Sequence, residues 1–285
     1  MADYETYRAR ANARRAQLLA ATTSPFTIEV RFLGGLNARQ RSAFSKAADR
    51  WTRTIVGDLP SVRVDNEVID DVLILAQGVA IDGPGKILGQ AGPTHLRPKS
   101  AGAAGFLPAK GIMSFDTADL AKMGRDGTLD DVIAHEMGHV LGFGTVWDRK
   151  SLLKGAGTSN PTFAGAGAME EYRLLRDAPR RRRVPVENTG GPGTADSHWR
   201  ETVFRNELMS GFIAQAGNPL SRMTVASLGD LGYAVDVDAG EPYTLPNLFA
   251  LAEAGSLVAH AAPIDEGIVL PVIPITLPAD SLNRT

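Results

Sequence analysis

His135-Glu136-Met137-Gly138-His139-Val140-Leu141-Gly142-Phe143-Gly144 (HEMGHVLGFG) is the stretch on which the reading of this 285-residue chain turns. At 3.6 residues per turn, helix positions i and i+4 lie one above the other on the same face. His135 and His139 can therefore offer nitrogens to one metal ion, and Glu136 beside that face suits a general base. The other side of the segment, Ile133, Met137, Val140 and Leu141, is apolar. A helix buried on both sides excludes two histidines and a glutamate unless they have partners. Thr128, followed three residues later by Asp131, predicts a capping-box-like start and a helix from Leu129 to about Phe143. The bland alternative is a surface helix with incidental His and Glu.

A catalytic zinc needs a third protein ligand and an open position. The chain has no cysteine, so that ligand must be His, Asp or Glu. Thr145 stands where the compact pattern H-E-x-x-H-x-x-G-x-x-H carries its third histidine, and a neutral threonine is a poor zinc ligand. Glu170 or Glu171 could serve from a following helix, or Asp196 from Gly193-Thr194-Ala195-Asp196. Of the five histidines, His95 and His260 read as ordinary surface or core residues. His198 stands just ahead of Glu207-Leu208-Met209-Ser210-Gly211.

Composition narrows the field. Hydrophobic residues make up 44% and charged residues 22%, as in a globular protein with a sizeable core. Thirty Lys plus Arg against 32 Asp plus Glu give no pull towards nucleic acid or a membrane. The absence of cysteine excludes disulfides, thiolate metal sites, a cysteine nucleophile and latency through a thiolate on the metal. It leaves the compartment open. Leu18 to Ala21 is too short a run for a secretory signal, so residues 1–25 read as a surface helix or tail. Localisation is then cytoplasmic or by a signal-less export route. Leu248–Ala262, broken by Glu253 and His260, cannot span a bilayer.

Outward from the motif, Thr27–Leu33 alternates as a strand does, and Asn37 is the expected N-cap of an amphipathic helix from Ala38 to about Val56. Further strands are expected at Val62–Val64, Val72–Ala76, Ile87–Gln90 and Gly111–Phe115. From Trp147 to Ser197 periodicity fades around one short helix at Ala168–Arg176, and Arg180–Arg183 form a basic run inside this insertion. Met223, Ala226, Leu228 and Leu231 predict a helix ended by Gly232. The proline-bearing end reads as a packed tail. Strand, helix, strands, helix is the order of helices laid against one sheet.

HEMGHVLGFG, followed at a distance by Ser197–Gly211 (SHWRETVFRNELMSG), resembles the leishmanolysin family of metzincin proteases. The resemblance implies an α+β fold: a twisted mixed sheet with the active-site helix, plus a smaller, loop-rich C-terminal subdomain. The corresponding divisions are an extension at 1–25, a sheet and helix part at 26–145, a part with insertion, third histidine and methionine turn at 146–240, and a tail at 241–285. It also implies one catalytic Zn2+ bound by His135, His139 and His198, with Glu136 as base. Gly142 would turn the chain away from the helix, Met209 would lie beneath the metal, and Met223–Val235 would be the helix after the turn. The expected activity is zinc-dependent endopeptidase cleavage by an activated water. The expected partner is an extended protein or peptide, added as a strand at a sheet edge near Gly111–Phe115, with a specificity pocket from residues 209–222. No nucleic acid and no membrane segment are expected. The disulfides of eukaryotic members cannot form, no lipid-anchor signal is visible, and Ser210 and Gly211 leave no tyrosine ligand just beyond Met209. The competing reading is a binding module or inactive homologue whose Arg180–Arg183 run contacts an acidic partner.

Overall fold

The computed structural model describes residues 4–83, 88–191, 193–213, 216–247, 269–270 and 272–283. His260, Leu248–Ala262 and the first residue of the strand expected at Ile87–Gln90 lie outside them.

The chain opens with β1 (Glu5–Arg10) and α1 (Ala13–Ala20), then β2 (Thr27–Gly34) and α2 (Ala38–Thr54). Residues 5–10 are therefore not the helix or tail expected of the N-terminal stretch. Tyr7 and Ala9 turn to the core while charged neighbours face water, and the strand pairs antiparallel with β2 from Glu5↔Phe32 to Arg10↔Thr27. Six residues, half of them charged, carry too weak an alternation to stand out before β2 supplies the partner. The α2 N-cap is as expected: Asn37 accepts from the Gln40 amide and the Gln40 side chain returns the bond.

A small hairpin follows, β3 (Val62–Val64) with β4 (Glu67–Ile69), and then β5 (Val72–Val79), β6 (Gly89–Leu96) and β7 (Pro108–Asp116). The main sheet is mixed. β1 is antiparallel to β2, β2, β5 and β7 run parallel, and β6 lies antiparallel beside β7. β7 is thus an inner strand, which corrects the expectation of a free edge at Gly111–Phe115. A buried apolar run says that a strand is internal to the fold but not which strands flank it.

α3 (Thr117–Asp126) and α4 (Leu129–Val140) come next. α3 was not foreseen; Asp116 caps it by accepting from the Ala118 amide, and Gly127 at φ +81° ends it. The chain enters α4 directly from that turn, so Thr128 sits in helical geometry and makes no side-chain cap. Asp131, read as its capping partner, instead takes Arg50 of α2 and the Gly217 and Asn218 amides. α4 stops at Val140, three residues short of expectation, because Gly142 adopts φ +104°. A β-carbon is strained in that conformation.

α2 and α4 pack against each other over the sheet. The Trp51 indole donates to the Ala134 carbonyl at 2.9 Å, and Phe44 meets Phe32 and Phe115 edge-on. Beyond α4 the loop-like insertion has more order than its sequence shows: β8 (Leu153–Lys154), β9 (Thr162–Phe163), α5 (Ala166–Leu175) and β10 (Val184–Pro185). Two-residue strands are too short to leave a periodic signal. α6 (Glu201–Phe204) and α7 (Arg222–Leu231) follow, the latter ended by Gly232 at φ +113°. The last described residues contribute β11 (Val269–Leu270) and β12 (Ile275–Thr276), both parallel to β6 on its outer side. Among the described residues no helix is long and apolar enough to cross a membrane.

Candidate metal centre

α4 carries His135 and His139 one turn apart on the face turned away from Met137 and Val140, which are fully buried. Gly142 then reverses the chain, and the Phe143 amide closes back on the Gly138 carbonyl at 3.0 Å. The insertion intervenes before His198 returns to the same place. Its neighbour Trp199 anchors it, packing into an aromatic group with Phe143, Trp147, Phe163 and Phe204. The Trp199 amide also donates to the Met209 carbonyl at 2.9 Å. An insertion of more than fifty residues therefore ends on a packed anchor rather than a free loop.

The three Nε2 atoms converge. His135 to His198 is 3.0 Å, His139 to His135 is 3.1 Å and His139 to His198 is 2.9 Å. Each ring's Nδ1 faces a backbone carbonyl: Leu208 at 2.7 Å for His135, Phe143 at 2.9 Å for His139 and Thr194 at 2.9 Å for His198. A carbonyl only accepts, so Nδ1 holds the proton and every Nε2 presents a lone pair. Burial keeps the rings neutral. It pushes His135 down to about 4 and His139, with His135 beside it, to about 3, while His198 falls well below its ordinary value. Three lone pairs aimed at one point repel unless a cation lies among them. Neutral imidazoles at this spacing suit the about 2.0–2.1 Å zinc–nitrogen bond. These three are one of two described groups of side chains close enough to hold an ion. In the other, Asp58, Asp70 and Asp71, Asp71 is already committed to Thr27 and Leu59.

Glu136 is buried next to His135, and desolvation raises its carboxyl to about 8. Met209 packs under the motif: a β-carbon on Gly138 would lie 2.8 Å from its Sδ and 2.8 Å from the Trp51 ring. The other ligand candidates are engaged elsewhere. Thr145 donates to the His139 carbonyl, Glu170 pairs with Arg173 and Arg181, and Glu171 pairs with Arg222. Asp196 accepts from the Gly157 amide at 2.8 Å. Arg180–Arg183 are exposed. His95 lies half-buried on β6, its Nδ1 3.0 Å from the Thr94 hydroxyl.

Sequence reasoning missed the carbonyls of Phe143, Thr194 and Leu208, since a backbone oxygen has no residue-type signature. It also missed Glu207. That carboxylate is fully buried and accepts from the Met209 amide at 2.6 Å, the Ser221 amide at 3.1 Å and hydroxyl at 2.6 Å, and the Thr224 hydroxyl. A lone glutamate just ahead of Leu208 and Met209 is all the sequence offers there, and its burial is seen only in the fold.

A mixed sheet, a helix bearing an H-E-x-x-H pair and a third histidine delivered from beyond an insertion define an α+β protein with three histidines grouped closely enough to hold a metal ion. The family model described as leishmanolysin matches residues 104–247, just over half of the chain, and the chain belongs to that family of peptidases. It is 28% identical to leishmanolysin of Leishmania major over 133 residues, which is 44% of this chain and 22% of that protein. To leishmanolysin of Leishmania tropica it is 30% identical over 134 residues, 44% of this chain and 20% of that protein. The match spans about a fifth of the length of these relatives.

Proposed function

We propose that this chain is a zinc-dependent endopeptidase in which His135, His139 and His198 hold the ion and Glu136 is the general base. The observation that carries the reading is the convergence of three Nε2 atoms within 2.9–3.1 Å, each ring fixed in its tautomer by a backbone carbonyl. When bound, zinc would supply Lewis acidity, lowering the pKa of water and polarising a peptide carbonyl. Glu136, acting as its carboxylate, takes up the proton released from the attacking water and returns it to the leaving nitrogen. The carbonyls of Leu208, Phe143 and Thr194 keep the three rings from rotating and hold the proton on Nδ1, leaving each Nε2 free to bind the ion. Met209 and Gly142 have supporting roles, the first filling the space under Gly138 and the second releasing the chain from the helix. We keep the division near residue 145 between the sheet-bearing part and the part that brings His198. The substrate is an extended peptide added to the outer edge of β6, the strand next to β7 on the side away from β5.

The test is cleavage of casein by the wild type and Glu136→Ala, each at one zinc per chain. Cutting by the wild type alone, stopped by a chelator, is the expected result. Equal cutting by both removes Glu136 from the mechanism, and no cutting by either removes the endopeptidase reading.

A further inference from the structure

β6 has one side bonded to β7 along its length, so it has a single remaining edge for a further strand. That edge is taken. β11 pairs with it at Gly89 and Gln90, and β12 at His95 and Leu96. The Leu277 amide continues the ladder to the Leu96 carbonyl at 2.9 Å. Between these, Val272 lies against Gly92; a β-carbon on Gly92 would come within 3.1 Å of the Val272 Cβ. The position matters. A β-carbon on Gly111, the β7 neighbour of this part of β6, would collide with Val140 and sit 3.0 Å from the Gly92 carbonyl. Val140 belongs to α4, so Val272 crosses the edge beside the part of β6 whose β7 neighbour packs on the helix that carries His135 and His139.

This segment is held at its Leu277 end, and its middle is exposed. Leu277 joins the small core of Val62, Val64, Ile69, Leu73 and Ala109, and the Asn283 amide donates to the Ser61 carbonyl at 2.9 Å. By contrast Ile273 is 88% exposed and Ile275 63% exposed, and Arg149 reaches Pro274 and Thr276 only at 3.5 and 3.4 Å. Pro271, Pro274 and Pro278 have no amide hydrogen, so the segment cannot form an unbroken ladder. Its pairing with β6 comes in two short pieces, with the exposed Ile273 between them.

We infer that β11 and residues 272–277 are an intramolecular competitor for the β6 edge, anchored by residues 277–283 and displaced when an extended peptide takes the same edge. The inference rests on the proposed peptide-binding reading of that edge. One row of main-chain donors and acceptors serves one strand at a time, so the two occupants exclude each other. A segment tethered to its own site acts at a millimolar-scale effective concentration, enough to hold off weak peptides even with few contacts.

The chain has no cysteine, so a single disulfide can be introduced without side pairings. His95 and Ile275 are Cα partners across the β6–β12 pair, within disulfide reach. The test places His95→Cys and Ile275→Cys in the full chain on a Glu136→Ala background, loads it with zinc and measures binding of a labelled casein-derived peptide by anisotropy. Zinc content and far-ultraviolet dichroism are checked in both redox states. The expected result is about tenfold or greater loss of peptide affinity on oxidation, restored on reduction. A change of less than about fivefold, including no binding in either state, overturns the inference. Casein cleavage by the wild type separates the two readings. Cleavage with redox-insensitive binding sinks the competitor alone, whereas redox-sensitive binding without wild-type cleavage sinks only the catalytic proposal.

Discussion

Replacing Glu207 with glutamine tests whether the turn at Leu208–Met209 positions the metal centre or merely fills space beside it. All the groups at this carboxylate donate. The Trp199 indole gives its hydrogen to the Thr224 hydroxyl, so that hydroxyl must give its own to Glu207. The Thr224 amide likewise occupies the Ser221 hydroxyl oxygen at 3.2 Å, which turns the Ser221 proton to Glu207. The second carboxylate oxygen takes the Met209 amide. Glutamine must point an NH2 at one side or the other, setting donor against donor in a buried place, at a cost of about 1–3 kcal/mol. On the Met209 side the turn loosens, and with it the Leu208 carbonyl that fixes His135 at 2.7 Å. Loss of such an outer contact typically lowers metal affinity about 10–100-fold, equal to about 1.4–2.7 kcal/mol. The assay is competition for zinc against a chromogenic chelator, at a temperature where dichroism shows the variant folded. A zinc affinity within about twofold of wild type, alongside the expected loss of stability, would refute the positioning argument and leave Glu207 a structural residue.

Three further outcomes are expected. His198→Ala falls well below one zinc per chain by mass spectrometry while keeping its helical dichroism; a full equivalent would pass the third position to Asp196 or a glutamate. Gly138→Ala gains helix propensity of about 1 kcal/mol, but its methyl meets Trp51 and Met209 at 2.8 Å, and overpacking costs about 1–3 kcal/mol. Calorimetry should therefore record a lower Tm, and a raised one would show that the two side chains give way freely. Glu29→Gln should flatten the acid limb of the stability curve. Burial raises the Glu29 carboxyl, but hydrogen bonds and charge from Arg8 and Arg31 outweigh it and hold the group below its ordinary 4.5. A depressed acid stabilises the fold above its unfolded pKa and loses that contribution as pH falls through the folded value. Urea titrations from pH 6 to pH 3 check this; parallel curves for wild type and variant would contradict it.

The sequence alone determined what depends on neighbours along the chain. Stacking of His135 over His139 follows from helix pitch, the Asn37 cap from a three-residue reach, and the end of α7 from Gly232. The absence of cysteine fixed the chemistry of any metal ligand. The reading at Thr128 failed for a related reason: one local signal cannot report that a preceding helix, α3, delivers the chain already in helical geometry. Tertiary structure decided what depends on groups distant in sequence. It gathered His198, and not Asp196, Glu170 or Glu171, beside His135 and His139, because the fold packs Trp199 into an aromatic group with Phe143 and Trp147 while the three acids find their partners elsewhere. It enclosed β7 between β5 and β6 and laid β11 and β12 along the outer side of β6, since strand order is set by pairing across the sheet and not by the pattern within a strand. The carbonyls that orient the three rings, and the segment lying along β6, are decided there too, because main-chain donors and acceptors are alike at every residue and only folding assigns them partners.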